Sequence, residues 1–65
     1  MNIIVNGKPR TVAATTLAEM LAELGYAGLR VATAHDSEFV PAVRRAECRL
    51  RDGDKVEILG PMQGG

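Results

Sequence analysis

Apolar and polar positions alternate over residues 1–6. Met1, Ile3 and Val5 fall on one side and Ile4 on the other, the two-residue period of a half-buried strand. Asn6-Gly7 follows. Both residues tolerate positive φ, so a tight hairpin turn is expected there. Residues 8–12 should return antiparallel, and Pro9, with no N–H for a ladder, belongs at a sheet edge or at the strand's start. The period then changes. Thr16-Leu17-Ala18-Glu19 reads as a capping box, with the Thr16 hydroxyl accepting from the Glu19 amide and Glu19 reaching back to the Thr16 amide. Leu17, Met20, Leu21 and Leu24 form one helical stripe over 17–24, with Glu19 and Glu23 off it and Gly25 as the stop. Met20 in that stripe is core filler.

Residues 30–34 predict a third strand, whose alanines at 32 and 34 suggest close packing against the helix or a neighbouring strand. His35-Asp36-Ser37 is turn-like, Glu38-Phe39-Val40 is a short extended run, and Pro41 ends it. Residues 42–49 have no clear period and read as irregular chain with one short helical turn. Leu50 reads as a core anchor beneath a loop. Asp52-Gly53-Asp54 turns the chain into a last strand at 55–59, with Val56 and Ile58 inward and Leu59 outward. A helix between two hairpin-like halves buries its stripe by crossing one face of a mixed sheet. The expected fold is α+β, a ubiquitin-like β-grasp: four to five strands in a mixed sheet, with one main helix on one face. Residues 1–65 then form a single domain in which 60–65 are a functional tail.

Size and charge narrow the functions open to such a body. A chain of 65 residues buries only about 60% of its unfolded surface, which leaves hardly any room for a deep cleft of catalytic groups. A hydrophobic fraction of 46% argues against disorder. Eight basic and eight acidic side chains cancel, without the basic excess that nucleic acid requires. Arg44, Arg45, Arg49 and Arg51 are interleaved with Glu47, Asp52 and Asp54, which suggests a solvated charged face, with Arg44 and Arg45 as a weaker candidate for electrostatic steering. One cysteine, Cys48, makes neither an internal disulfide nor a metal cluster. With no basic leader and no long apolar run, the expected location is the cytoplasm, away from membranes. Cys48 reads as a small buried hydrophobe rather than a persulfide carrier, although the four arginines make its setting less inert than usual. His35 reads as a solvent-exposed turn histidine with no second ligand in sight, and Asp52 and Asp54 as turn formers, since the longer ligand series of a calcium loop is missing. No catalytic residue, metal site or bound cofactor is expected.

The distinctive chemistry is in Gly60-Pro61-Met62-Gln63-Gly64-Gly65. Set against a frayed end, a two-glycine tip is thin enough to enter a narrow slot and present its carboxylate there. Six extended residues span at most roughly 20 Å. Pro61 stiffens the base of the tail and lowers the entropy lost on threading. Ile4, Leu59 and Met62, apolar and facing outward or beside the tail, form a candidate docking surface.

The chain resembles the bacterial sulfur carrier family of thiamine biosynthesis. The resemblance spans the whole chain and rests on Ile3 through Gly7, Thr16-Leu17, Val31-Ala32, Val40-Pro41, Leu50 with Asp52-Gly53-Asp54, Val56-Glu57-Ile58 and Gln63-Gly64-Gly65. It departs from the family at His35-Asp36, where an Asn is frequent, and near 42–45, where an aromatic is missing. The resemblance implies a protein-sized cosubstrate rather than an enzyme. Gly65 would be adenylated with ATP by a separate E1-like adenylating enzyme and converted to a thiocarboxylate. A cysteine desulfurase or rhodanese-type protein would donate the sulfur, and thiazole synthase would receive it. Gly64, Gln63 and Pro61 would thread the tail. Carriers of other pathways (molybdopterin or tungsten cofactor assembly, amino-acid sulfuration) and a ubiquitin-like protein modifier share the fold and the tail. The short length and Gln63 favour thiamine.

Overall fold

Residues 1–60 are described by a computed structural model. Strand β1, Asn2–Val5, ends where Asn6 (φ 50) and Gly7 (φ 81) reverse the chain. Two successive positive φ values make the two-residue turn whose twist suits a hairpin. Strand β2, Lys8–Thr11, returns antiparallel with Val5 opposite Lys8 and Asn2 opposite Thr11. It is an edge strand, so the N–H that Pro9 lacks is not needed by a neighbour.

Helix α1, Leu17–Glu23, starts at Thr16, whose hydroxyl accepts from the Glu19 amide at 3.2 Å. The reciprocal bond differs from the expected box. Glu19 takes chiefly the Thr15 N–H at 3.0 Å and the Thr15 hydroxyl at 3.1 Å, and these bonds hold its carboxyl below the usual range. At the helix start Thr16 lies in a bridge opposite Arg49, held by Leu17 N–H to Cys48 carbonyl and Leu50 N–H to Thr15 carbonyl. Glu23, off the apolar stripe, bends back to accept the Ala13 and Ala14 amides and so anchors the connection into the helix.

Strand β3 covers Ala32–His35, later than the expected 30–34. Its partner explains the shift. Ala32 pairs with Leu59, the last residue of β5 (Lys55–Leu59), so Val31 has no strand beside it and instead enters the core. A second positive-φ pair, Asp36 (φ 48) and Ser37 (φ 74), turns β3 into strand β4, Glu38–Val40. A 3-10 helix, Ala42–Glu47, follows.

The five strands run in the order β2-β1-β5-β3-β4, with β1 and β5 parallel and the other neighbours antiparallel. The last strand is therefore central, which makes it the rigid base of whatever follows. Ile3, Val5, Thr33, Val40, Val56 and Ile58 are buried on one side of the sheet together with Leu17, Met20 and Leu21 of α1. Leu50 joins them at 6% exposure, as an anchor beneath the loop. Among the described residues no buried side-chain polar atom lacks a partner.

Candidate functional site

Pro61, Met62, Gln63, Gly64 and Gly65 lie outside the described residues, so the site begins with what holds the tail's base. Alternation along β5 sends Val56 and Ile58 to the core and leaves Lys55, Glu57 and Leu59 on the open face. Gly60 has φ 135, a conformation that any Cβ would resist, so glycine sets the direction in which the chain leaves the sheet.

Beside that exit lies an apolar surface. Leu59 is 71% exposed, and its pairing neighbour Ala32 lies on the same face. Across β3, Ala34 pairs with Phe39, which is 70% exposed. Together these four line a shallow trough on the side of the sheet opposite the helix, bounded at one end by Asn6 and Gly7. The two alanines therefore pack against neither the helix nor a tight strand partner. They keep the open face low between two large side chains. Ile4 shares this face: it pairs with Lys55, in register with Glu57 and Leu59 farther along β5. Glu57 lines the trough beside Ala34, and Ile4 lies outside it, lining a separate depression with Lys55 and Glu57, so the apolar walls of the trough are Leu59 and Phe39. Sequence reasoning missed Phe39. Its alternation with Val40 and the turn joining it to β3 were readable, but the strand order that places β5, and so Leu59, on the other side of β3 was not.

His35 is not an exposed turn residue. It ends β3, with its side chain at 23% exposure, and Nε2 lies 2.7 Å from Asp54 Oδ2 and 3.6 Å from Asp36 Oδ2. Ligand atoms of the three residues lie within 4.8 Å of one another, a spacing a cation could use. They already have other work. Asp54 Oδ2 accepts the Arg51 N–H at 2.8 Å, and Asp36 Oδ1 accepts the Lys55 N–H at 2.9 Å, so the cluster ties the β3–β4 turn to the start of β5. Burial pushes the Asp54 carboxyl up, but the hydrogen bonds from His35 and the Arg51 amide outweigh it and leave the carboxyl below its usual range. Asp52 Oδ1 accepts the Asn2 N–H at 2.6 Å, so both aspartates of the turn are structural.

Arg45 is removed from the steering surface. Its Nε donates to the Thr33 hydroxyl at 3.0 Å and a terminal nitrogen to the Val31 carbonyl at 2.6 Å, which fastens the 3-10 helix to β3. Arg44 remains exposed. Nor do the arginines set the charge around Cys48. Burial pushes its thiol up, and the negative charges of Asp54 and Asp36 push it further, so a reactive thiolate is disfavoured.

The sequence matches the ThiS family over residues 3–65. It is 39% identical over 61 residues to the sulfur carrier protein ThiS of Thermus thermophilus, covering 94% of this chain and 95% of that protein. It is 36% identical over 66 residues to the thiazole synthase of Paramagnetospirillum magneticum, and there it covers 100% of this chain but only 20% of the relative's length. A crystal structure of the thiamine biosynthesis protein ThiS from Geobacter metallireducens superimposes with a TM-score of 0.83 at 35% identity, covering 100% of both chains. A solution structure of a thiamine biosynthesis protein from the same organism gives 0.77 at 35% identity, covering 100% of this chain and 88% of the other. The ubiquitin-like β-grasp anticipated from the sequence is therefore the fold, with five strands in its mixed sheet.

Proposed function

The chain belongs to the ThiS family, the sulfur carriers of thiamine biosynthesis, and from that premise we propose that it delivers sulfur as a thiocarboxylate on Gly65. The observation that carries this reading is the family match through Gly65, together with a tail that leaves the central strand beside an exposed apolar trough.

At neutral pH a terminal carboxylate is an anion that resists nucleophiles, since its pKa is about 3.3–3.7. A Gly65 carboxylate oxygen attacks the α-phosphorus of ATP in an E1-like adenylating enzyme, and pyrophosphate leaves. The acyl adenylate has lost the repelling charge and gained a leaving group. The terminal sulfur of a persulfide on a cysteine desulfurase or rhodanese-type protein then attacks the acyl carbon and AMP departs. A second thiol attacks the donor's sulfur in the resulting acyl disulfide, so that a disulfide forms on the donor side and the thiocarboxylate is released. The carrier contributes position rather than acid, base or metal. Pro61, Gln63 and Gly64 thread the partner's channel, while Leu59, Phe39 and Ala32, with Met62 and more remotely Ile4, meet the partner's surface. Thiazole synthase is the acceptor this reading favours, because a thiazole synthase carries a segment similar to the whole of this chain. No helix of the described residues is long and apolar enough to cross a membrane.

Intact-mass spectrometry of the protein isolated from its own cells tests the proposal. The expected species is heavier by one oxygen-to-sulfur exchange, which fragmentation places on Gly65. Sulfur found on Cys48, or isopeptide conjugates of Gly65 with lysines in place of a thiocarboxylate, would overturn it.

A further inference from the structure

Strand β1 stops at Val5, yet β5 continues to Leu59. Their parallel ladder runs through Ile4 N–H to the Asp54 carbonyl and Asn6 N–H to the Val56 carbonyl, both at 2.9 Å. The next rung would need the Asn6 carbonyl and an N–H farther along, but at Asn6 (φ 50) the chain turns away into β2. Ile58 would then face an empty position with its N–H and its carbonyl. The Asn6 side chain fills it: Oδ1 accepts the Ile58 N–H at 2.8 Å, and Nδ2 donates to the Ile58 carbonyl at 3.0 Å. A carboxamide carries the donor and acceptor of a peptide unit, so it substitutes for one rung. The residues that follow are Leu59, at the trough, and Gly60, at the exit.

We propose that Asn6 is a positioning residue for the carrier tail, and that its carboxamide clamps the end of β5 so that the chain leaves the sheet at Gly60 in the direction a partner's channel requires. This deepens the thiocarboxylate-carrier reading and rests on it. A turn role alone does not account for the residue, since glycine meets the positive φ of position 6 equally well. Without the clamp the exit samples several directions, and only a fraction of the molecules is competent to thread. Apparent affinity falls by that fraction, while a molecule once bound reacts normally.

The test uses the full chain with the activating enzyme from the same source, following ATP–pyrophosphate exchange as carrier concentration varies. Asn6→Gly keeps the turn and removes the clamp. Its KM should rise about tenfold, with kcat within about twofold of wild type. Asn6→Asp, which keeps the acceptor but sets a carboxylate oxygen against the Ile58 carbonyl, should raise KM at least as far. Val12→Ala, a core truncation away from β5, should leave KM unchanged, because lost stability alone does not redirect the exit. Amide exchange at Ile58 in Asn6→Gly should quicken about tenfold while Val56 stays protected. If Asn6→Gly does not fold, Asn6→Asp carries the comparison. A wild-type KM in the clamp variants, or an equal rise in Val12→Ala, would overturn the proposal and leave the carrier reading standing. A wild-type protein that is not charged at all would overturn the carrier reading, and the proposal with it.

Discussion

Thr33→Val is the sharpest probe of how this thin core is held. Thr33 is 2% exposed, and its hydroxyl works twice: it donates to the Val40 carbonyl at 2.8 Å and accepts from Arg45 Nε at 3.0 Å. Valine has the same shape, so no cavity forms, but both neighbours lose a partner. Leaving a buried polar group unpaired costs about 1–3 kcal/mol. The gain from burying one more methyl, about 0.8 kcal/mol, offsets part of that. A net loss of about 1–2 kcal/mol is expected. A domain of 65 residues has a total stability of only about 3–10 kcal/mol, so this loss is a large share. Thermal denaturation followed by circular dichroism should show Tm falling by roughly 5–15 °C, and urea titration should show a lower midpoint at unchanged slope. Arg45→Met removes the other end of the link. In a double-mutant cycle the two changes together should cost about 1 kcal/mol less than the sum of each alone. A Thr33→Val protein within about 0.5 kcal/mol of wild type would refute the reasoning, since it would mean that the hydroxyl network contributes no net stability.

Other consequences follow from the site. Leu59→Asp should leave stability within about 0.5 kcal/mol, because the side chain is largely solvated, while complex formation with the activating enzyme weakens at least about tenfold by titration calorimetry. Gly64→Ala should cut the rate of ATP–pyrophosphate exchange about a hundredfold by crowding the channel; an unchanged rate would remove the threading argument. Cys48→Ser should retain sulfur loading by mass spectrometry, and wild-type Cys48 should alkylate more slowly than a free thiol at neutral pH, because burial and then Asp54 and Asp36 oppose its thiolate. The carboxyl of Asp54 binds its proton less readily in the folded protein than in the unfolded chain. Its contribution is therefore fully present above the unfolded pKa and is lost as pH falls through the folded one. Urea titrations stepped downward from neutral pH should show this loss in the acid range, with a shallower decline for Asp54→Asn.

Much of the body could be read without coordinates, because its signals are local. The alternation of Ile3, Ile4 and Val5, the Asn6-Gly7 turn, the stripe from Leu17 to Leu24 and the alternation of Val56, Ile58 and Leu59 each depend on a few consecutive residues. Each reappears in the fold with the expected face inward. The positions misjudged were those whose partner is distant in sequence. His35 is held by Asp54, 19 residues away, and Arg45 by Thr33 and Val31, 12 and 14 residues away. No window along the chain contains both members of such a pair.

The tail illustrates the same division. The two-glycine ending made Gly64-Gly65 a candidate for chemistry that the family resemblance then placed on Gly65, and alternation alone turned Leu59 outward. Only the tertiary structure decided that Phe39 lies beyond Ala34 on the same face, and that a side chain 52 residues earlier completes the last rung of β5. The physical reason is that residue periodicity determines which way a side chain points, whereas strand order and register determine what it points at, and those are settled by the packing of the whole chain.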